Sequence, residues 1–383
     1  VQLNPPPTVR RLIMDFDALL QLVVHKKASD LFITTGWAPS LKINGELQAI
    51  SKSRLSNSQT LEIVLSIMTP EQKEEFKTTN ECQFAIQRHD IGRFRVSAFT
   101  QRSSAGMVLR RIESKIPTAE ELGIPPILNE LAMTKRGLII FVGATGTGKS
   151  TSLAAMVGHR NNNSTGHIIT IEDPIEYLHS HAGCVVTQRE VGIDTESYEV
   201  ALKNTLRQAP DVILIGEIRT RETMDHAIAF AETGHLCLST LHANNANQAL
   251  DRIIHFFPEE AHNQLFMDLS LNLKAVIAQQ LIPTIDGKGR KAVIEILINT
   301  PLASDYIRKG EIHKLKDLMK KSVEHGMQTF DQALYELYKK GEISYENALM
   351  YADSQNEVRL MIKLGSEASS DFNDESIHLI DTE

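Results

Sequence analysis

The residues from Gly143 to Ser152, GATGTGKSTS, crowd glycines, hydroxyls and one lysine directly behind the apolar run GLIIFV. Such a stretch packs poorly. It fits Gly-x4-Gly-Lys-Ser through Gly143, Gly148, Lys149 and Ser150, with a strand-like run before it and a helix-like run after it, the context a phosphate loop requires. Small residues across Gly143, Ala144, Thr145, Gly146, Thr147 and Gly148 let backbone N–H groups curl around phosphate oxygens. The helix N-terminus that follows, from Lys149 through Ser150 and Thr151, adds positive partial charge. Lys149 is placed to bridge β- and γ-phosphates, and the Ser150 hydroxyl to complete a Mg²⁺ shell. The expected ligand is a nucleoside triphosphate.

Two acidic strand ends supply what hydrolysis would need. DVILIGEIR is an apolar strand followed by Gly216 and Glu217, and HIITIEDPIEY is a second, followed by Glu172 and Asp173. In a parallel sheet the carboxyl ends of the strands share the edge that carries the phosphate loop, so both glutamates are expected there. One would hold Mg²⁺ through water and the other would position the attacking water; the sequence does not assign the two roles. The competing reading of each acid is ordinary capping of a following helix. A third strand, HLCLSTLH, carries His235 and His242, seven residues apart and so about 23 Å if extended. They cannot readily chelate one metal, and His242, past the strand's carboxyl end, is the one able to sense a γ-phosphate.

The first ~115 residues contribute a cluster of arginines in GRFRVSAFTQRSSAGMVLRR, including Arg93, Arg95 and Arg110. Strand alternation puts Arg93 and Arg95 on one face. A guanidinium that reaches the γ-phosphate accelerates transfer by about 10³ to 10⁵. By composition alone a solvated basic face explains these residues as well.

The elements that must hold these groups fall into blocks. An amphipathic run with Phe16, Leu19, Leu20, Val23 and Val24 on one face reads as a helix. SDLFITTG and APSLKINGELQAI read as strands around a turn at Asn44 and Gly45, two helices follow, and the second is capped by Thr69 with Pro70 at its first position. ECQFAIQRH, GRFRVSAFTQR and GMVLRRI alternate like antiparallel strands. Residues 1–115 are thus expected to form an α+β domain, and the proline-bearing 116–136 a linker and first helix. Strands and helices alternate over 137–298, which implies an α/β core with a largely parallel sheet covered on both faces. Residues 299–365 read as helical, and 366–383, with six acidic residues and no Lys or Arg, as a disordered acidic tail.

A net charge of −8 argues against a protein held mainly by nucleic-acid phosphates. No apolar run reaches the roughly 18 residues that span a bilayer. VQLNPPPTVRR lacks an apolar signal core and an initiator Met. Cys82, Cys184 and Cys237 are scattered without a Cys-x-x-Cys pair, so neither structural zinc nor a disulfide framework is expected, and a cytoplasmic location is.

GATGTGKST, TIEDPIEY, LRQAPDVILIGEIRTRETMDHAIAFAETGH and GHLCLSTLHANNA resemble, in order, the Walker A, Asp box, Walker B and His box of secretion-type hexameric ATPases. Within these the chain is similar to the type IV pilus retraction group, PilT and PilU, from about Asp17 to Leu364, and its wording around the Walker B box is most similar to the PilU branch. The resemblance implies a PAS-like N-terminal domain, a RecA-like P-loop ATPase domain, ATP with Mg²⁺, and a homo-hexamer in which the first domain of one subunit packs on the ATPase domain of the next. It carries functional roles to Lys149, Ser150, Glu172, Glu217, His235 and His242, adds Arg95 and Arg110 as arginines that reach nucleotide, and adds Arg207 of LRQ at a domain interface. It further implies a motor for pilus retraction and twitching motility at the cytoplasmic face of the inner membrane, working with a PilT-like ATPase and a membrane platform protein. Two departures bear on this. The three dispersed cysteines do not match the four-cysteine metal cluster of pilus-extension relatives, and LASDYIRKGE replaces the AIRNLIRE-like helix of PilT-type proteins while keeping Ile307 and Arg308. An export ATPase, a nucleotide-gated adaptor with little need of turnover and, disfavoured by charge, a DNA translocase are the competing readings.

Overall fold

The computed structural model describes residues 16–43 and 45–374. The chain forms two compact units, one of residues to Lys115 with Ile175–Leu178 and Gly192–Asp194, the other of Ile116–Pro174, His179–Val191 and Thr195 onward.

The first unit is built on a six-stranded sheet in the order β3-β2-β1-β6-β5-β4: β1 is Asp30–Thr34, β2 Ser40–Ile43, β3 Glu46–Ala49, β4 Glu81–Arg88, β5 Gly92–Gln101 and β6 Ser104–Arg111. Every neighbouring pair is antiparallel. Alternation in β5 buries Phe94, Val96 and Ala98 and leaves Arg93, Arg95 and Ser97 on the other face. The helices Phe16–His25, Asn57–Ser66 and Pro70–Thr79 belong to this unit. Leu19, Leu20 and Val23 of the first helix join Ile63, Val64 and Phe76 of the other two in the core with Leu31, Phe94 and Leu109. Thr69 caps the third helix by accepting the Gln72 N–H, and Pro70 stands where no intrahelical donor is needed. Asn44, expected in the β2–β3 turn, lies outside the described residues.

The second unit carries a seven-stranded sheet in the order β13-β12-β7-β11-β10-β8-β9. Its strands are β7 Gly137–Val142, β8 Gly166–Glu172, β9 Cys184–Glu190, β10 Val212–Ile215, β11 Leu236–Leu241, β12 Leu273–Pro283 and β13 Arg290–Ile298. All pairs are parallel except β12 with β13. β7, β10 and β11 are buried at every position, as strands covered on both faces must be. One face packs against Met224, Ala227 and Phe230 of the helix Arg221–Glu232 and Leu250 and Ile253 of the helix Ala246–His255. The other packs against Leu128 and Leu131 and against Leu153, Met156 and Val157 of the helix Lys149–Asn163.

Several elements depart from the sequence reading. β9, β12, β13 and the helices Ala246–His255 and His262–Asn272 were not read from the sequence. The turn between β12 and β13 uses Gly287 at φ 67°, where a side chain would be strained. Inside the expected linker stands a short helix, Ala119–Leu122, closed by a reciprocal Thr118–Glu121 capping box. After Asn299 five α-helices follow among the described residues: Pro301–Arg308, Leu315–Lys321, Phe330–Lys339, Tyr345–Met350 and Gln355–Asp374. The last runs on into the acidic segment, whose residues 375–383 lie outside the described residues. Cys82, Cys184 and Cys237 are free and buried. Among the described residues no helix is long and apolar enough to cross a membrane.

Candidate active site

Strand order decides which chemical groups meet. β7, β11, β10 and β8 are consecutive, parallel neighbours, so their carboxyl ends lie side by side on one edge. β7 runs into the phosphate loop, β11 into His242, β10 into Gly216 and Glu217, and β8 ends on Glu172. Four groups scattered over a hundred residues of sequence are thereby set in a row.

The loop from Gly143 to Gly148 has the shape of an anion cradle. Gly143, Gly146 and Gly148 take φ of 152°, 79° and 85°, conformations that L side chains rarely adopt. Gly148 precedes the helix Lys149–Asn163 without a side-chain cap, which leaves that N-terminus to an outside anion. Lys149 is buried, and its ammonium donates to the carbonyls of Gly143 at 2.8 Å and Ala144 at 2.9 Å. A buried ammonium at the mouth of this loop is a cation placed where phosphate oxygens would sit. Ser150 follows at the first turn, and Thr147 Oγ1 donates to the Ala144 carbonyl at 2.9 Å. No cluster of three or more His, Cys, Asp or Glu suited to a metal exists among the described residues. Ser150 at the helix start, with Glu172 and Glu217 reaching through water, are the groups here that could hold a Mg²⁺ ion.

Glu217 is held through both of its oxygens. Its Oε2 receives Arg219 Nε and Nη2, both at 2.7 Å, and its Oε1 lies 3.2 Å from His242 Nε2. Arg219 Nη1 also faces Asp173 at 3.9 Å. This carboxylate raises the already high Arg219 pKa further, so the guanidinium is a permanent cation there. The backbone is tied down as well: Thr240 Oγ1 donates to the Gly216 carbonyl at 2.6 Å and the Ile218 N–H to the Thr240 carbonyl at 2.9 Å. Gly216 is needed for space, since a Cβ would come within 2.8 Å of the Tyr198 hydroxyl and 3.1 Å of Glu172 Cα. Burial, and then the negative charges of Asp173 and Glu172, push the Tyr198 phenol well above its ordinary pKa, so it stays a neutral donor. Glu172 Oε1 accepts from Thr170 Oγ1 at 2.6 Å and Gln188 Nε2 at 3.2 Å. A cleft of about 590 Å³ opens beside the loop, lined by Gly143, Ala144, His242, Asn244, Arg252 and His255 among others.

The helix behind His242 is anchored by a carboxylate. Glu295 of β13 is 1% exposed and accepts the Ala246 N–H at 2.8 Å at the start of the helix Ala246–His255. Burial pushes its pKa up to about 7, with Asp353 adding to the rise and Lys316 opposing it.

Not every expected residue is at this edge. His235 precedes β11 and so sits at the strand's amino end, about 23 Å from His242 by strand rise. Its Nδ1 lies 3.0 Å from Thr233 Oγ1 and 3.2 Å from the Phe230 carbonyl, a helix-end role that places it outside this chain's row of acids. Arg207 is exposed in the 3-10 turn Leu206–Gln208 ahead of β10, on the same far edge. Arg95 and Arg110 belong to the other unit, directly opposite each other on β5 and β6. Arg95 donates to Gln83 Oε1 at 3.0 Å and Arg110 to the buried Asp30 at 2.8 Å.

Two residues of the second unit escaped the sequence reading. Arg219 lies in the charged run EIRTRET, which by composition is a solvated face. Gln279 lies in β12, 132 residues from the Thr147 carbonyl to which its Nε2 donates at 2.9 Å. A glutamine pair, Gln279 and Gln280, in an otherwise apolar strand is the one available sign, and it does not identify a partner.

Comparison with known proteins follows the same line. The model of the family "Type II/IV secretion system protein" matches residues 8–370. The type IV pilus ATPase PilU of Pseudomonas aeruginosa is 70% identical over 358 residues, covering 94% of this chain and 94% of that protein. The type IV pilus retraction ATPase PilT of the same organism is 41% identical, covering 88% of this chain and 97% of its own length. A crystal structure of the pilus retraction motor PilT with bound ADP superposes with a TM-score of 0.84 at 37% identity, covering 90% of this chain and 98% of that one.

Proposed function

The chain belongs to the type II/IV secretion system protein family, and from that premise we propose that it is an ATP-hydrolysing motor subunit of type IV pilus retraction, acting in twitching motility. The observation that carries this reading is the row Lys149, His242, Glu217 and Glu172 along one sheet edge beside a phosphate cradle.

When bound, Mg-ATP supplies the phosphoanhydride bond and the charge that the loop is shaped to meet. Lys149 exchanges its loop carbonyls for phosphate oxygens. Glu217 accepts a proton from water or orients it, and Arg219 and His242 hold its carboxylate in place. Glu172, on the adjacent strand, supports the metal side of the site. His242 links the edge to Glu217, so a change at the phosphate is felt by the helix that starts at Ala246. We further propose a homo-hexamer with a PAS-like first domain, in which Arg95 and Arg110 of one copy reach nucleotide held by its neighbour. In this reading the ring sits at the inner-membrane pilus base, with a PilT-like ATPase and a platform protein as partners.

The test is turnover by purified protein. Lys149→Ala should abolish nucleotide binding, and Glu217→Ala should keep binding while losing hydrolysis. Retraction that persists in cells carrying both substitutions would refute the motor and favour an adaptor.

A further inference from the structure

We propose that Gln279 is a positioning residue of the nucleotide site: it sets the orientation of the phosphate loop from outside the motif. The inference rests on the nucleotide-binding reading above and names a residue that reading does not use. β7 and β12 are parallel neighbours with Val142 opposite Ala278, so Gln279 stands next to the start of the loop. A Cβ on Gly143 would lie 2.6 Å from the Gln279 carbonyl, and a Cβ on Gly148 would lie 2.8 Å from Gln279 Nε2. Gln279 thus packs directly against two glycines of the motif, whose positive φ already excludes a side chain.

The side chain is 2% exposed, and its Nε2 donates to the Thr147 carbonyl at 2.9 Å. Across the planar trans peptide that follows Thr147, the C=O and the next N–H point in opposite directions. Holding the Thr147 oxygen toward β12 therefore turns the Gly148 N–H into the cradle, where phosphate must find it. Gln279 Oε1 is buried with no partner. A buried unsatisfied acceptor opposes folding, and an apolar residue of similar length would avoid it. The amide is thus costly to the fold and useful to the loop.

The test compares wild type, Gln279→Met and Gln279→Glu by fluorescent ATP-analogue binding and by melting temperature at pH 8 and pH 6. Loss of the donor is expected to raise Kd about tenfold at pH 8 in both variants, with the melting temperature of the Met variant unchanged or higher and that of the Glu variant lowered at pH 8 by its buried charge. A protonated carboxyl can donate to Thr147 as the amide does. The Glu variant should therefore recover affinity at pH 6 by at least threefold relative to wild type, while the Met variant should not. Wild-type affinity in both variants would overturn the proposal. So would a Glu variant whose affinity follows that of the Met variant at both pH values, or a Met variant that loses binding only in step with its melting temperature. A wild-type protein that fails to bind the analogue would instead sink the nucleotide reading itself.

Discussion

Replacing Glu295 with Gln should make the protein more stable at pH 8 and leave it nearly unchanged at pH 5. The carboxylate is 1% exposed, and burial raises its pKa from 4.5 to about 7. An acid whose folded pKa is raised binds its proton more tightly when folded. Its contribution is intact below pH 4.5 and is lost as pH rises toward 7. At about 1.4 kcal/mol per unit the full rise is worth about 3 kcal/mol, reached above pH 7 and reduced to under about 1 kcal/mol at pH 5. Glutamine keeps an oxygen for the Ala246 N–H and carries no charge to bury. The gain at pH 8 over pH 5 should thus be about 2–3 kcal/mol, or roughly 4–6 °C in melting temperature. Thermal melts of both proteins at the two pH values measure it. Parallel shifts at both pH values, or a loss of stability at pH 8, would refute the argument. Either would show that Lys316 or the helix N-terminus compensates the buried charge.

Three further outcomes follow from the geometry. Glu217→Gln should retain nucleotide binding and lower kcat by at least about 10²-fold, read from steady-state turnover; an unchanged kcat would pass the role of base to Glu172. Gly148→Ala should weaken nucleotide binding, measured by titration with a fluorescent analogue, because the residue sits at φ 85° and the new methyl meets Gln279 Nε2 at 2.8 Å. Arg110→Ala should cost about 1–3 kcal/mol in chemical denaturation, since it leaves the buried Asp30 with only the Ser29 hydroxyl. Activity lost in that variant then has to be judged against its stability before Arg110 is credited with a role at a neighbouring nucleotide.

The site was legible wherever a local rule controls it. Gly143 to Ser150 announces itself because phosphate binding needs small residues, a lysine and a helix start in fixed order. Glu172, Glu217 and His242 follow once the strands are taken as parallel, because parallel strands deliver their ends to one edge. His235 lies at the opposite edge from His242, seven residues of extended chain away, beside Thr233 and the Phe230 carbonyl, so the role that the resemblance carries to it is one this chain's own row of acids does not use. Gln279 and Arg219 were invisible for another reason. Each acts through a partner that only the fold brings near, and neither sits in a pattern that marks it. The same holds for β12 and β13, whose antiparallel pairing closes one side of a sheet that is otherwise parallel.

The concealment of all three thiols opens an experimental door. Cys82, Cys184 and Cys237 are buried, and burial holds the thiols of all three above their ordinary pKa, Cys82 at about 11. Few thiolates would be exposed to a maleimide dye at neutral pH. A cysteine introduced on the surface would then carry nearly all of the label without any native cysteine being replaced. Pairs of dyes placed this way on the two units could report, molecule by molecule, whether nucleotide draws them together or apart.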